Sequence, residues 1–250
     1  MIDTHAHLDA CADPPGEVLA RARAAGVTRV ITVGSGIASC REALAICERE
    51  EGVFAALGIH PHQADEAGEG DLAELRDLLG HPNAVAVGET GLDHYRDYAP
   101  RERQRDLFHS QAALAAELGK TLVVHTRAAD GETLEVLRES ADGTPVVLHC
   151  FSSSALLEPA LEHGWYVSFA GNVTYPNAPE LRRAAAQVGA DRVLAETDSP
   201  YLAPQPVRGR PNEPANVVHT VAALADARDE DAADLARQIE ANAKAAFGLV

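Results

Sequence analysis

Residues 84–127 read AVAVGETGLDHYRDYAPRERQRDLFHSQAALAAELGKTLVVHTR, and this stretch contains the unit from which the fold is built. A strand pattern, Ala84–Asp93, is followed by a long helical pattern, Arg101–Leu118, and then by a second strand pattern, Thr121–Arg127. Gly119 comes directly after the helical pattern, as glycine commonly does at helix C-termini. Aliphatic strands separated by one helix predict a parallel β-α-β unit whose sheet is buried on both faces.

The same alternation continues in both directions along the chain. The other strand candidates are Ile2–Leu8, Val27–Gly34, Val53–His60, Pro145–Phe151, Tyr166–Val173 and Val193–Asp198. The other helical patterns are Glu17–Ala25, Ile37–Glu50, Leu72–Leu79, Glu132–Ser140, Leu156–His163, Pro179–Val188, Ala215–Ala227 and Asp229–Phe247. Strands that are each followed by a helix predict an α/β fold, a (β/α)8 TIM barrel with an extra C-terminal helix.

The chain shows no linker and no break in composition, so we expect residues 1–250 to form a single domain. An open doubly wound sheet is the main alternative fold. No GxGxxG motif follows the first strand, however, and such a motif would support the nucleotide-binding crevice of that fold. The sequence therefore favours the barrel over the open sheet.

The composition is that of an ordinary globular protein, with 46% hydrophobic and 24% charged residues. No apolar run approaches the ~20 residues of a membrane-spanning helix. The residues after Met1 show neither a basic leader nor the apolar core of a signal peptide. The four cysteines form no CxxC pair, which fits a reducing compartment. We therefore expect a cytoplasmic protein that does not associate with membranes.

The charge balance limits the kinds of partner that the protein can bind. The chain has 21 basic and 38 acidic residues, for a net charge of −17 with histidine neutral. An acidic surface repels polyanions at long range, which disfavours a nonspecific DNA coat or a membrane-surface protein. Only 4% of the residues are aromatic, which gives little support to a stacking platform for single strands. The sequence indicates no obligate protein partner.

Residues that can bind metal ions occur at the carboxyl ends of most predicted strands. A TIM barrel gathers these strand ends on one rim, where the active sites of the fold lie. Residues far apart in sequence are therefore expected to converge there, and imidazole and carboxylate groups are metal ligands. In chain order they are His5, His7, His60, His62, Glu89, Asp93, His125, His149 and Asp198.

This set of side chains predicts a metal centre. In Asp3-Thr-His5-Ala-His7 the strand period points both imidazoles the same way, ready to chelate one ion. Carboxylates buried beside imidazoles require counter-charge, which divalent cations supply. Six ligands exceed the four of tetrahedral zinc, so we expect two divalent ions. The expected ligands are His5, His7, Glu89, His125, His149 and Asp198.

The bridging ligand between the two ions follows by elimination. Some two-metal barrel hydrolases bridge their ions with a carbamylated lysine, but this chain has only Lys120 and Lys244. Lys120 precedes its strand, at the opposite end of the barrel, and Lys244 lies in the terminal helix. Glu89, at the end of the fourth strand, is therefore the expected bridging anion.

Several motifs in one order resemble those of the TatD family of metal-dependent deoxyribonucleases, which belongs to the amidohydrolase-like barrels. The likeness covers essentially the whole chain. The motifs are Asp-Thr-His-Ala-His (3–7), Gly-Ile-His-Pro (58–61), Gly-Glu-Thr-Gly-Leu-Asp (88–93), His-Thr-Arg (125–127), His-Cys-Phe-Ser (149–152), Glu-Thr-Asp-Ser-Pro-Tyr-Leu (196–202) and Asn-Glu-Pro-Ala-Asn (212–216). The chain departs from the usual pattern at Ala128, Ser153 and Pro176, none of which is a predicted ligand.

The resemblance implies specific roles for the site residues. It implies that His60 contacts the scissile phosphate and that the protein is a nuclease with a divalent cofactor. It implies a first metal held by His5, His7, Glu89 and Asp198. It implies a second metal held by Glu89, His125 and His149.

The ligands and the resemblance together predict a two-metal deoxyribonuclease or exonuclease. Hydroxide activated by the two ions would attack phosphorus, with Asp198 and His60 as catalytic residues. Arg208 and Arg210, in the proline-rich loop after the last strand, are candidate phosphate contacts because guanidinium groups match phosphate oxygens. The cations are expected to be zinc, manganese or magnesium. DNA, single-stranded or at its ends, is the expected substrate.

Two alternatives stay open at this stage. Two-metal chemistry also hydrolyses small esters, amides and phosphoesters, for which an acidic surface is no obstacle. A non-catalytic metal-binding scaffold is an alternative of another class, although such a protein would gain nothing from paired carboxylates and imidazoles on one rim. Assays with labelled oligonucleotides and a panel of small esters separate these hypotheses.

Overall fold

A computed structural model describes residues 1–68, 70–96 and 98–249 of the chain. Its strands are β1 (Ile2–Ala6), β2 (Arg29–Gly34), β3 (Val53–Leu57), β4 (Ala84–Asp93), β5 (Thr121–Arg127), β6 (Val146–Leu148), β7 (Tyr166–Phe169) and β8 (Val193–Ala195). They pair in parallel in chain order, from β1 to β8. A parallel bridge between Ala6 and Ser199 joins the first strand to the segment after the last. The predicted TIM barrel is thereby confirmed.

The helices cover the outside of this barrel and alternate with its strands. They are α1 (Pro15–Ala24), α2 (Ile37–Arg49), α3 (Asp71–Leu79), α4 (Arg101–Leu118), α5 (Asp130–Ser140), α6 (Leu157–His163), α7 (Pro179–Gln187), α8 (Val217–Arg228) and α9 (Ala232–Phe247). Short 3-10 turns follow several strands at the rim. Within the described residues, no helix has the length and apolar character needed to cross a membrane.

The extra C-terminal helix α9 closes the N-terminal end of the barrel. Asp231 caps its start, where the side chain accepts hydrogen bonds from the backbone N–H groups of Ala233 and Asp234 at 2.9 and 3.0 Å. At its other end, Phe247 packs into the barrel interior against the inward-facing side chains of the strands. These side chains are Ile2, Ile31, Val33, Ala56, Ala86, Val123, Val147 and Leu194.

The strand patterns predicted from sequence extend past the sheet at the C-terminal rim. The candidate Val53–His60 ends as a strand at Leu57, and Val193–Asp198 ends at Ala195. Gly58, Ile59, Glu196 and Thr197 stay buried in loops beyond these ends, so the apolar or alternating pattern continues after the ladder has stopped. The prediction that residues 1–250 form one domain includes residues 69, 97 and 250, which lie outside the described residues, and it stays a prediction.

Candidate metal centre

The rim of the barrel carries a cluster of imidazoles and carboxylates around one buried glutamate. His5, Glu89 and His125 belong to strands, whereas the other members come from the first residues after a strand. Glu89, in β4, lies at the middle of the cluster and is 3% exposed. The cluster brings together the predicted residues His5, His7, His60, Glu89, His125, His149 and Asp198.

Local backbone geometry places Glu89 at this position. The pairing of β4 with β5 shifts register between Val87 and Thr90, and such irregularities re-aim a side chain. Gly88 has φ +139°, and a Cβ atom there would lie 2.5 Å from the carbonyl oxygen of Val123. Only glycine fits that close approach, so the Gly88-Glu89 sequence is a condition for the site.

One side of Glu89 faces the two histidines of the first strand. Its Oε2 atom lies 3.5 Å from His5 Nε2 and 3.7 Å from His7 Nε2. Asp198 Oδ1 lies 3.9 and 3.6 Å from the same two nitrogens. These four residues are called site A, and His5, His7 and Glu89 offer ligand atoms within 4.8 Å of one another.

The other oxygen of Glu89 faces a different set of imidazoles. Its Oε1 atom lies 2.8 Å from His125 Nδ1 and 3.0 Å from His149 Nε2. Glu89, His125 and His149 are called site B. His60 Nε2 is also near, 3.4 Å from the same oxygen. A single carboxylate therefore faces two separate groups of nitrogen ligands.

The hydrogen bonds of the site B histidines prepare them as metal ligands. His149 Nδ1 lies 2.8 Å from Glu196 Oε1, and His125 Nε2 lies 3.3 Å from Asp93 Oδ2. In the neutral form of each ring, the carboxylate accepts the one ring proton, and the opposite nitrogen then faces Glu89 with its lone pair. Metal-ligating histidines are typically oriented by such a carboxylate.

His60 has the opposite arrangement. Its Nδ1 atom accepts a hydrogen bond from the backbone N–H of His62 at 3.1 Å, so the ring proton of neutral His60 is on Nε2. Burial lowers the pKa of His60 to about 4, despite the neighbouring Glu89 carboxylate. A neutral imidazole with this tautomer donates a hydrogen bond through Nε2, although His60, Glu89 and His125 are close enough together to hold an ion.

The electrostatics of the cluster favour charged carboxylates and raise the pKa of three imidazoles, those of His7, His125 and His149. Burial opposes charge on Glu89, but the His149 charge and the hydrogen bond from His125 outweigh it and hold the pKa of Glu89 well below its usual value. Burial likewise opposes charge on His149, yet the Glu89 and Glu196 carboxylates raise the pKa of His149 well above its usual value. Protons on imidazoles thus balance the buried negative charge, which is the role of a bound cation.

Glu196 is a residue of the candidate site that the sequence reasoning did not single out. It is 1% exposed, and its Oε1 atom also accepts the backbone N–H of Cys150 at 2.7 Å. Its Oε2 atom accepts the Ser168 hydroxyl at 2.5 Å. The signal was present, because Glu196 and Asp198 have the same two-residue spacing as His5 and His7.

Asp3 ties the first strand to the segment that carries Asp198. The buried Asp3 carboxylate accepts the Thr197 backbone N–H at 2.9 Å and the Thr197 hydroxyl at 2.6 Å. Burial raises the pKa of Asp3 to about 8, although these hydrogen bonds act in the opposite direction. The Asp198 N–H in turn donates to the His5 carbonyl at 2.9 Å, so site A is held across the closure of the barrel.

The two loop arginines predicted to contact phosphate lie in the segment after β8. The Arg208 guanidinium lies over the Tyr175 ring, 4.0 Å from its centroid. Arg210 is exposed in the same loop. A third guanidinium, that of Arg127, lies 4.0 Å from the Tyr95 ring centroid, two residues beyond His125 on β5.

The donor set fits divalent cations. Imidazole nitrogens and carboxylate oxygens are ligands for zinc and for other transition-metal ions, and each half of the cluster contains both kinds. His5 Nδ1 is buried and has no hydrogen-bond partner among the described residues, while its Nε2 faces Glu89. His5 Nε2 is thus the ring nitrogen that is positioned to bind a cation in site A.

Comparison with known proteins places these features in a family. Residues 2–248 match the family described as TatD-related DNase. The chain is 41% identical, over its whole length and 98% of the relative, to the uncharacterized metal-dependent hydrolase TatD of Mycobacterium tuberculosis. It is 34% identical to the 3′-5′ ssDNA/RNA exonuclease TatD of Klebsiella pneumoniae, over 93% of this chain and 91% of the relative.

A solved structure has the same fold. The crystal structure of YjjV, a TatD homolog from Escherichia coli K12, superposes with a TM-score of 0.92 at 30% identity. The superposition covers 100% of this chain and 98% of that chain. The likeness therefore extends over the barrel, the rim and the C-terminal helix together.

Proposed function

The chain belongs to the family of TatD-related DNases and is a metal-dependent hydrolase, and we propose that it hydrolyses phosphodiester bonds at the ends of single-stranded DNA. The observation that carries the proposal is the position of Glu89, whose two oxygens face two separate groups of imidazoles. A carboxylate shared in this way suits a pair of cations, which is the arrangement of two-metal phosphodiester hydrolysis.

The residues of the two sites would hold the cations. When bound, divalent cations supply a water molecule acidic enough to ionise near neutral pH and positive charge for phosphate oxygens. Site A would use His5, His7, Glu89 and Asp198, and site B would use Glu89, His125 and His149. Zinc, manganese and magnesium are the candidate ions.

Asp198 and His60 are the proposed catalytic residues. Burial opposes charge on Asp198, but its hydrogen bond with His7 and the His149 charge lower the pKa of Asp198, so it is ionised at neutral pH. Asp198 can therefore accept a proton from the attacking water. The neutral His60 would donate a hydrogen bond from Nε2 to an oxygen of the scissile phosphate.

The substrate side of the proposal rests on local positive charge within an acidic protein. Arg208 would contact phosphate, held in place by the Tyr175 ring, and Arg210 of the same loop would add a second contact. A net charge of −17 disfavours a long interface with DNA, so we propose a short footprint at a strand end. The Klebsiella relative, a 3′-5′ ssDNA/RNA exonuclease by name, supports this substrate class. A cytoplasmic location is part of the same proposal.

The experiment that tests the function starts from metal-stripped protein. The protein is re-supplied with zinc, manganese or magnesium singly and incubated with single strands labelled at the 5′ or 3′ end. Duplexes, small esters, amides and phosphoesters are assayed in parallel. We expect metal-dependent release of labelled nucleotides from single strands. Turnover of small esters or amides without cleavage of any strand would replace this function with the small-substrate alternative, and no turnover of any substrate would favour the scaffold.

Matched variants separate chemistry from folding. Glu89→Gln and Asp198→Asn each remove one charge from the centre, and we expect each to abolish strand cleavage. Glu66→Gln and Asp142→Asn make the same changes at exposed positions and should cleave as the wild type does. Undiminished cleavage by either centre variant would contradict the role proposed for that residue.

A further inference from the structure

Exposed tyrosines stand at the mouth of the barrel. Among the described residues, the exposed large hydrophobic side chains are Tyr95, Tyr98, Tyr201 and Leu161. The three tyrosines are 64%, 63% and 57% exposed, and they lie in the segments after β4 and β8, next to the metal centre. Aromatic rings that remain open to solvent beside an active site point to a ligand that covers them.

Tyr98 stands beside the site B half of the cluster. Its ring centroid lies 4.8 Å from that of His62, with 75° between the ring planes. His62 Nε2 in turn lies 2.8 Å from Asp93 Oδ2, and the same carboxylate also faces His125. A T-shaped contact leaves at least one face of the Tyr98 ring open, in agreement with its large exposed fraction.

Tyr201 stands beside the site A half. Its ring centroid lies 6.0 Å from that of His7, at 69° between the planes. Its backbone is fixed, because its N–H donates to the Asp198 carbonyl at 2.8 Å and its carbonyl accepts from Asn212 Nδ2 at 2.6 Å. The ring is therefore carried by a backbone segment that is bonded directly to a residue of site A.

Tyr95 is different from these two tyrosines. The Arg127 guanidinium lies 4.0 Å from its ring centroid, and the Arg96 guanidinium lies 5.9 Å from the same point. One face of this ring is already occupied by a cation. Tyr95 thus holds Arg127 in place, whereas Tyr98 and Tyr201 have faces available for a substrate.

We propose that Tyr98 and Tyr201 stack on the two nucleobases that flank the scissile phosphate. This inference rests on the proposed function: if the reacting phosphate lies over Glu89, between the two sites, its neighbours extend toward one tyrosine on each side. Bases are free to stack on a protein ring when they are unpaired, so the two platforms select single strands. The low aromatic content of the sequence disfavoured such platforms. Two tyrosines are nevertheless enough when they lie on either side of the reacting phosphate.

The test combines ring variants with substrates that lack a base. Tyr98→Leu and Tyr201→Leu should each raise KM on a single strand by about 5- to 150-fold, the range of aromatic–base stacking, with little change in kcat. The conservative variants Tyr98→Phe and Tyr201→Phe keep the ring, so each should raise KM much less than the matching Leu variant. An abasic residue on one side of the cleaved bond should raise KM for the wild type, and the Leu variant of the tyrosine on that side should show no further loss.

A binding measurement gives a signature that a structural role would not produce. A cleavage-resistant phosphorothioate strand carries 2-aminopurine on either side of the target bond, and its fluorescence should be quenched on binding to the wild type and the Phe variants. Loss of quenching in one Leu variant, for one position of the probe, would assign that tyrosine to that base.

Three outcomes would overturn the inference. In one, abasic strands are cleaved with the same KM as intact strands. In another, the Phe variants lose as much as the Leu variants, which would mean that the hydroxyl matters and the ring does not. In both cases the proposed function stands, because strands are still cleaved. Failure of the wild type to cleave any strand would remove the proposed function and this inference together.

Discussion

Glu196 shows how a residue outside the ligand set can control the centre. It accepts the ring proton of His149 through an atom that also accepts a backbone N–H, so both the His149 tautomer and its ring plane are fixed. The His149 ring also stacks on that of His5, with centroids 3.7 Å apart. An error in the orientation of His149 would therefore affect both sites.

We predict that Glu196→Gln weakens metal binding without unfolding the protein. An amide can turn its NH₂ group toward His149 Nδ1, which would favour the wrong tautomer and occupy the coordinating nitrogen with a proton. Loss of such a carboxylate partner typically lowers metal affinity about 10- to 100-fold. Competition titration with a chromogenic chelator measures this affinity, and Glu66→Gln is the matched control. Wild-type affinity in Glu196→Gln would contradict the positioning role.

The protonated imidazoles predict that metal binding depends on pH. The pKa of His149 is raised well above its usual value, since the attraction of Glu89 and Glu196 exceeds the effect of burial. Metal-free His149 therefore holds a proton at neutral pH, and a cation must displace it. Affinity should rise with pH, by about tenfold per unit for each proton displaced. Calorimetry in buffers of different ionisation enthalpy counts the protons. Equal affinities at pH 6 and pH 8 would contradict this picture.

Sequence reasoning found the residues of the centre because the barrel fixes where strand ends meet. His125 and His149 each end an aliphatic run, and that position alone places them at the rim. The hydrogen bonds that give neutral His60 and neutral His125 opposite tautomers were not predictable, because they depend on the positions of single atoms and not on strand order. Glu196 was missed although its spacing from Asp198 repeats that of His5 and His7.

At the scale of elements, helix α9 has a structural role that the sequence pattern did not specify. The pattern predicted an extra helix, but not that its last turn would fill the barrel interior. Asn242 Nδ2 donates to the carbonyls of Ala190 and Val193 at 2.8 Å each, which fixes the helix against the start of β8. The placement depends on contacts between distant segments, and periodicity within one segment cannot show such contacts.

We predict that Phe247→Ala strongly destabilises the fold. Phe247 packs in the barrel interior, and truncating a buried phenylalanine costs about 3–5 kcal/mol of unfolding free energy. Leu161→Ala removes a large side chain from the exposed part of α6 and should cost about 0.5 kcal/mol or less. Urea denaturation of the two metal-free variants gives both values. Equal losses would show that α9 does not close the barrel.

The strand boundaries show where sequence patterns lose precision. Two elements have the bounds that the sequence predicts, helix α4 (Arg101–Leu118) and strand β5 (Thr121–Arg127). A glycine or a change of period marks their ends. Ile2–Leu8 is overextended by two residues because Ala6 is the last to pair, while Leu8 remains buried in the turn that follows. Residues at the rim stay buried after the last hydrogen bonds between strands. Because the hydrophobic pattern follows burial, it predicts strands that are too long at this end.

At the scale of the whole molecule, the acidic surface predicts weak salt dependence of substrate binding. Because the net charge is −17, most of the surface repels phosphates. We therefore expect a few guanidinium groups and the metal centre to attract them. For about two or three neutralised phosphates, the slope of log affinity against log salt on a single strand is about −1.4 to −2.1. Fluorescence anisotropy across a salt series measures this slope. A slope steeper than about −5 would show a long DNA interface and contradict the short footprint.

The central prediction is that Glu89 lies between two bound cations, and the occupancy of the two sites tests it. Anomalous difference scattering from a crystal of the zinc-loaded protein locates each ion without reference to activity. We predict two peaks on opposite sides of the Glu89 carboxylate, one among His5, His7 and Asp198 and the other between His125 and His149. A single peak, or peaks away from Glu89, would contradict it.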